Sequence, residues 1–238
     1  MYKKKRVLVI DGDILAYQIA TNNEQPINWG DGLWTLHADE NSCVQQLDAV
    51  IDDLGSGLSA DDYVVALTDK NNFRKDVLPT YKSNRKEKRK PIVLNSMREH
   101  IMKKHNGIMW DNLEADDVMG IMATEPSDEE RILVSIDKDM KTIPCNLSDD
   151  GTTIEQIPQK IADYNFMIQV LTGDKVDGYD GIEGIGIKTA EKLIKKYTNV
   201  TLPDLWKVVK GIYKEKGYTE KEALQQARVA HILRHGEY

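Results

Sequence analysis

Cysteine is scarce in this chain of 238 residues: Cys43 and Cys145 are the two, far apart and without a C-x-x-C spacing. That argues against a disulfide framework and a thiolate zinc site, and fits a reducing cytoplasm. Long apolar runs are missing too. No stretch approaches the roughly 18 to 20 apolar residues that a membrane span requires. In the basic start "MYKKKRVLVIDGD" the apolar run covers only Val7 to Ile10 before Asp11, too short for a signal peptide. Neither membrane association nor export is expected. There is no internal repeat, low-complexity tract or long Gly/Ser linker. With 40% hydrophobic and 30% charged residues, the chain has an ordinary globular balance. It is long enough for one large domain, or for a domain with a smaller appendage.

Positive charge is in deficit as well, and a net charge of −7 argues at first against a polyanionic partner. The average misleads. Between Lys70 and Lys90 stand nine basic residues against Asp76 and Glu87, a local charge of +7 that leaves −14 for the remainder. Such a run is ordinarily a solvated face. Here Phe73 and Tyr81 are interleaved with the cations, the combination with which single-stranded nucleic acid is commonly held.

"RVLVIDGD" reads as a buried strand ending in a turn, and short apolar runs recur at 63–67, 107–110 and 131–136. Helix-like stretches at about 42–54, 92–104 and 114–123 lie between them, predicting a mainly parallel sheet covered by helices. Ligands gather at the carboxyl ends of the strands in such sheets. The acids fall there: Asp11, then Asp69, then Glu114, Asp116 and Asp117, then Asp137 and Asp139. From 159 onward the pattern is helical, so residues 1–158 are read as an α/β core that includes the basic segment 70–91. Residues 159–238 are read as a helical subdomain with a hairpin at 181–196.

So many carboxylates in one place would repel unless a cation neutralised them, and oxygen-only ligands point to Mg²⁺ or Mn²⁺. Two such ions about 3.5 to 4 Å apart can activate a water and stabilise the leaving oxygen of a phosphodiester. Asp11 and Asp13 in "DGD" also fit the nucleophile and acid of an aspartyl-phosphate phosphatase, a reading that explains neither the basic segment nor the glycines downstream. In "GDKVDGYDGIEGIGIKTAEKL", Asp174 and Asp177 repeat the three-residue spacing of Glu114 and Asp117. Gly181, Gly184 and Gly186 then permit a tight turn and close backbone approach before a helix beginning near Thr189. Backbone N–H groups at such a helix start hold phosphate without reading sequence. The bland alternative is a plain loop-to-helix connection.

The acidic strand ends in "VIDGD", "LEADD" and "SIDKD", the block "FRKDVLPTYKSNR" and the glycine hairpin together resemble the 5′-nuclease (flap endonuclease) superfamily, most of all bacteriophage 5′-to-3′ exonucleases. The match runs in order through most of the chain. The resemblance implies a PIN-like α/β fold with a helix-hairpin-helix of the helix-three-turn-helix type. It implies two Mg²⁺ or Mn²⁺ ions, and K⁺ held by hairpin carbonyls. Asp11, Asp69, Glu114, Asp116 and Asp137 would serve one metal region, with Asp117 adjoining, and Asp139, Asp174 and Asp177 the other. Lys82 and Arg85 would engage the scissile phosphate, Tyr81 would stack on a terminal base, and Arg74, Gly184, Gly186, Lys188 and Thr189 would contact DNA. The implied partners are duplex DNA with 5′ ends or flaps and RNA–DNA hybrid. The implied protein is a monomer in the host cytoplasm, acting in phage DNA replication or recombination. Gln18 departs from the basic residue often found there, and the stretch from Arg85 to Pro91 is short for a complete helical arch. A PIN-type ribonuclease and a non-catalytic DNA-binding protein are the alternatives.

Overall fold

The computed structural model describes residues 4–85 and 88–238; Lys86 and Glu87 of the basic segment, like Met1 to Lys3, lie outside the described residues. The first strand, β1 (Arg6–Asp11), is buried from Val7 onward and pairs in parallel on both sides. Its unbroken apolar run is what a strand covered on both faces requires. Leu8 and Ile10 enter one core and Val9 another, the period-two alternation of a strand. Helix α1 (Gly12–Asn22) starts at once because the Asp11 carboxylate accepts from the Ile14 N–H at 3.0 Å, a side-chain N-cap.

A small antiparallel hairpin, β2 (Gln25–Asn28) and β3 (Trp34–His37), stands apart from the main sheet. Helix α2 (Glu40–Gly57) is capped by Asp39 and leads to β4 (Asp62–Ala66). Next come the short α3 (Arg74–Val77), α4 (Leu94–Lys104) and β5 (Gly107–Ile108). Helix α5 (Ala115–Thr124), β6 (Glu130–Val134), β7 (Cys145–Ser148) and β8 (Glu155–Ile157) follow. The last four elements are α6 (Gln159–Thr172), α7 (Ile187–Ile194), α8 (Leu202–Glu215) and α9 (Glu220–Ala230).

The main sheet has the order β5-β4-β1-β6-β7-β8, parallel except for the last pair. Leu47 and Ile51 of α2, Met97 and Ile101 of α4, and Ile19 of α1 pack on one face. Val118 and Met119 of α5 pack on the other. The helices α6 to α9 share a third core built on Val170, Ile194, Val209 and Tyr213. Each such aliphatic side chain, fully buried, contributes roughly 1.5–3 kcal/mol.

The expected α/β sheet with a helical C-terminal subdomain is present. The structure adds the pairs β2–β3 and β7–β8, and shortens the strand expected over 107–110 to Gly107–Ile108. β8 is a three-residue edge strand, exposed at Glu155 and Gln156, so it lacks the apolar run that marks a central strand.

Candidate active site

The ends of β1 and β6 and the first turn of α5 bring Asp11, Asp137 and Asp116 together, and one serine stitches the two strand ends. Ser135, just past β6, donates its hydroxyl to Asp11 Oδ2 at 2.9 Å and accepts from the Asp137 N–H at 3.1 Å. Burial, with Asp137 close by, pushes the Asp11 carboxyl up to about 6. Asp116, in the first turn of α5, is held well above the carboxylate range by burial and by Asp11. Asp139 is likewise pushed up to about 6 by burial and Asp137, although Gln169 Nε2 donates to it at 2.9 Å. Carboxyls raised together in this way are ionised at a cost, which a bound cation would lower.

Cations meet only part of that charge. Lys82 Nζ lies 2.6 Å from Glu114 Oε1 and 3.6 Å from Asp177 Oδ2. Burial works against its charge, yet the neighbouring acids Glu114, Asp177 and Asp116 raise its pKa. Lys82 also has a left-handed backbone (φ 51), and its N–H donates to the Asp177 carbonyl at 2.7 Å. A non-glycine residue there carries strain of the kind that collects at functional sites. Arg85 pairs with Asp177, and Lys138 reaches Asp174 Oδ2 at 3.1 Å. Asp137 acts on Asp11, Asp116 and Asp139 alike, and Asp11 on Asp116; Asp174 acts on Asp139 more weakly. Asp177 lies between, beside Lys82, Arg85 and Glu114 as well as Asp174.

Several expected assignments are corrected by burial and bonding. Asp117 is fully buried. Its two oxygens receive Arg74 Nη1 and Nη2 at 2.6 and 2.7 Å, the Leu233 N–H at 3.0 Å and the Glu114 N–H at 3.2 Å. No oxygen lone pair is left for a metal. Arg74, only 2% exposed, also donates to the carbonyls of Val229 and His231, so it ties the chain's end to the sheet domain instead of meeting DNA. Tyr81 is 4% exposed and donates its hydroxyl to Glu114 Oε2 at 2.8 Å. It positions Glu114 and offers no face to a terminal base. Asp69 is drawn into its own loop, accepting from the Asn112 N–H at 3.0 Å. Asp13 accepts from the Thr68 N–H and pairs with Arg98.

The downstream hairpin divides in the same way. Gly181 faces Gly173 so closely that a Cβ on it would meet the Gly173 nitrogen at 2.3 Å; its small size serves packing. Gly184 (φ +77) has nothing within 4 Å of such a Cβ, and Gly186, Lys188 and Thr189 are exposed beside it at the start of α7. A groove lined by Thr189, Lys192, Leu193, Lys195 and Lys196 continues along this helix. Its last two lysines stand in "EKLIKKY", a short basic pair that the neighbouring glycines overshadow as a sequence signal.

One further group carries no sequence signal of its own. The side chains of Asp48, His100 and His105 bring ligand atoms within 4.8 Å of one another, close enough to hold a metal ion. His100 and His105 are near in sequence, but nothing in the sequence pairs them with Asp48 on another helix.

A mainly parallel sheet with carboxylates at its strand ends and a helical subdomain alongside is the architecture of the 5′-nuclease superfamily. The family model described as the 5′-3′ exonuclease, N-terminal resolvase-like domain, matches residues 6–170, and the chain belongs to that family. It is similar to the exodeoxyribonuclease of Enterobacteria phage T3, with 32% identity covering 98% of this chain and 89% of the relative. The exonuclease of Escherichia phage T7 is 30% identical, covering 98% and 90%. The fold is shared with the T5 5′-exonuclease bound to zinc, at a TM-score of 0.68 and 19% identity over 95% of this chain and 89% of that one. Among the described residues, no helix is long and apolar enough to cross a membrane.

Proposed function

We propose that this chain is a divalent-metal-dependent 5′-to-3′ exodeoxyribonuclease that hydrolyses phosphodiesters from 5′ ends of duplex DNA, and also acts on 5′ flaps and RNA primers in phage DNA replication or recombination. The supporting observation is the crowding of Asp11, Asp116 and Asp137, whose mutual repulsion Lys82 and the hydrogen bonds to Asp11 relieve only in part. An all-oxygen donor set of this kind fits Mg²⁺ or Mn²⁺. Asp11, Asp116 and Asp137 would hold one ion, and Asp139, Asp174 and Asp177 a second. When bound, the ions would supply Lewis-acid activation of water and neutralise charge on the leaving oxygen.

The remaining roles belong to the chain. Glu114 keeps Lys82 over the site, and Tyr81 keeps Glu114 in place. Lys82, held by Glu114, and Arg85, paired with Asp177, would meet the phosphate oxygens and stabilise charge developing there. Gly184, Gly186, Lys188 and Thr189 grip the duplex backbone away from the cut, with K⁺ at the hairpin carbonyls and the α7 lysines extending the track. The division into a core at 1–158 and a DNA-binding subdomain at 159–238 follows these two jobs, in a monomer.

The test is a time course on duplex DNA labelled at its 3′ ends, with Mg²⁺ or with chelator, beside Asp137→Asn. Progressive Mg²⁺-dependent shortening that the variant lacks is expected. Intact DNA with cleaved RNA would point to a ribonuclease, and retained DNA binding without cleavage of either would remove the enzymatic reading.

A further inference from the structure

We propose that Asp48, His100 and His105 form a separate metal site of mixed imidazole and carboxylate type, suited to Zn²⁺ or a neighbouring first-row transition ion, which clips α2 to α4. Three observations carry it. The first is convergence. His100 Nε2 lies 2.7 Å and His105 Nε2 2.6 Å from the same oxygen, Asp48 Oδ1, so two ring nitrogens already converge on one carboxylate oxygen, all three ligand atoms lying within 4.8 Å of one another. Lys104 occupies the other carboxylate oxygen and leaves Oδ1 to the site.

The second is orientation. His105 is buried, and its far nitrogen, Nδ1, lies 3.0 Å from the Tyr63 hydroxyl. Nε2 shares a proton with Asp48 Oδ1; an ion would take that proton's place, and a proton on Nδ1 donated to the Tyr63 oxygen would then keep the Nε2 lone pair turned toward the ion. Metal-bound histidines are commonly fixed in this way by a hydrogen bond at the other ring nitrogen.

The third is place and donor chemistry. Tyr63 pairs with Leu8 in the sheet, whereas Asp11 pairs with Ala66. Three strand positions, about 10 Å, separate these levels. The histidine group sits toward the starts of the strands and the acidic rim at their ends. The rim offers oxygens alone, while imidazole nitrogen favours zinc-like ions. Asp48 is 52 residues from His100, so an ion here would join distant parts of the chain and stabilise the folded state by mass action.

The site does not depend on the nuclease reading, and its test does not either. Co²⁺ is titrated into the full chain with Mg²⁺ in excess, and into Asp137→Asn and His100→Gln, with visible absorption as the readout. Thermal unfolding with and without Zn²⁺ accompanies it. One Co²⁺ per chain with a nitrogen-ligated absorption band is expected in the first two proteins, with at least about tenfold weaker binding in His100→Gln. Zn²⁺ should raise the unfolding midpoint by about 4 °C or more, while Mg²⁺-dependent cleavage by His100→Gln stays unchanged. A band lost in Asp137→Asn but kept in His100→Gln would move the ion to the rim. No band in the unmodified chain would leave the three residues as a hydrogen-bonded network only. Either result overturns the proposal, and the second does so without needing a variant to fold.

Discussion

Around Asp117 every charge has a partner: Arg74 meets both of its oxygens in a fork, and backbone N–H groups take what remains. Around Asp116, one residue earlier, burial and the carboxylates of Asp11, Glu114 and Asp137 push the other way, with Lys82 as the opposing cation. Helical geometry makes the difference, because successive residues point about 100° apart. One therefore faces the ion pair and the other the strand ends. The comparison teaches how to sort acidic residues by role. A carboxylate whose lone pairs are used by the protein supports the fold, and one whose charge is left unanswered is available to a ligand.

The largest expected effect sharpens that contrast by exchanging single atoms. Asp117→Asn breaks the fork and leaves Arg74 buried with less than its due charge, at a cost of about 3–5 kcal/mol. Denaturant unfolding should show it. Asp116→Asn removes repulsion, so its stability in chelator should hold or rise while cleavage falls by orders of magnitude. If the two variants lost stability equally, the division of roles would fail. Lys82→Ala comes next. Turnover should fall about 10²- to 10³-fold with a much smaller change in DNA affinity, measured by single-turnover cleavage beside equilibrium binding. An unchanged rate would remove Lys82 from the chemistry.

Much of the fold and of the acidic rim is legible in the amino-acid sequence because the relevant signals are local. The run Val7 to Ile10 marks a buried strand, and an acid directly after such a strand falls on the rim whatever the rest of the fold does. Sequence does not distinguish Asp116 from Asp117, or an exposed Arg74 from a buried one. Those assignments depend on Val229, His231 and Leu233, more than 100 residues downstream, which close over the Arg74–Asp117 pair. Tyr81 misleads for the same reason. Its aromatic ring among cations resembles a stacking platform until the packing of Tyr179 against it, with ring centroids 6.5 Å apart, shows that the site is filled. The edge strand β8 escapes because so short and polar a segment carries no period to read.

The smallest expected effect tests whether the rim's repulsion is real. Burial and the neighbouring Asp137 push the Asp11 and Asp139 carboxyls up to about 6, against the ordinary value of 3.8. Between those values the folded chain binds more protons than the unfolded one, so in chelator stability should rise as pH falls from 7 toward 5. Each carboxylate should add about 1 kcal/mol over that interval. Saturating Mg²⁺ holds the carboxylates ionised and should flatten or reverse the trend. Asp11→Asn is the control: its slope in chelator should be shallower than that of the unmodified chain. Thermal midpoints at pH 7, 6 and 5, with and without Mg²⁺, would decide it. A chelated protein whose midpoint falls over this range, or a variant whose slope matches the unmodified chain, would mean that the rim is not the unrelieved counterpart of the Asp117 pair.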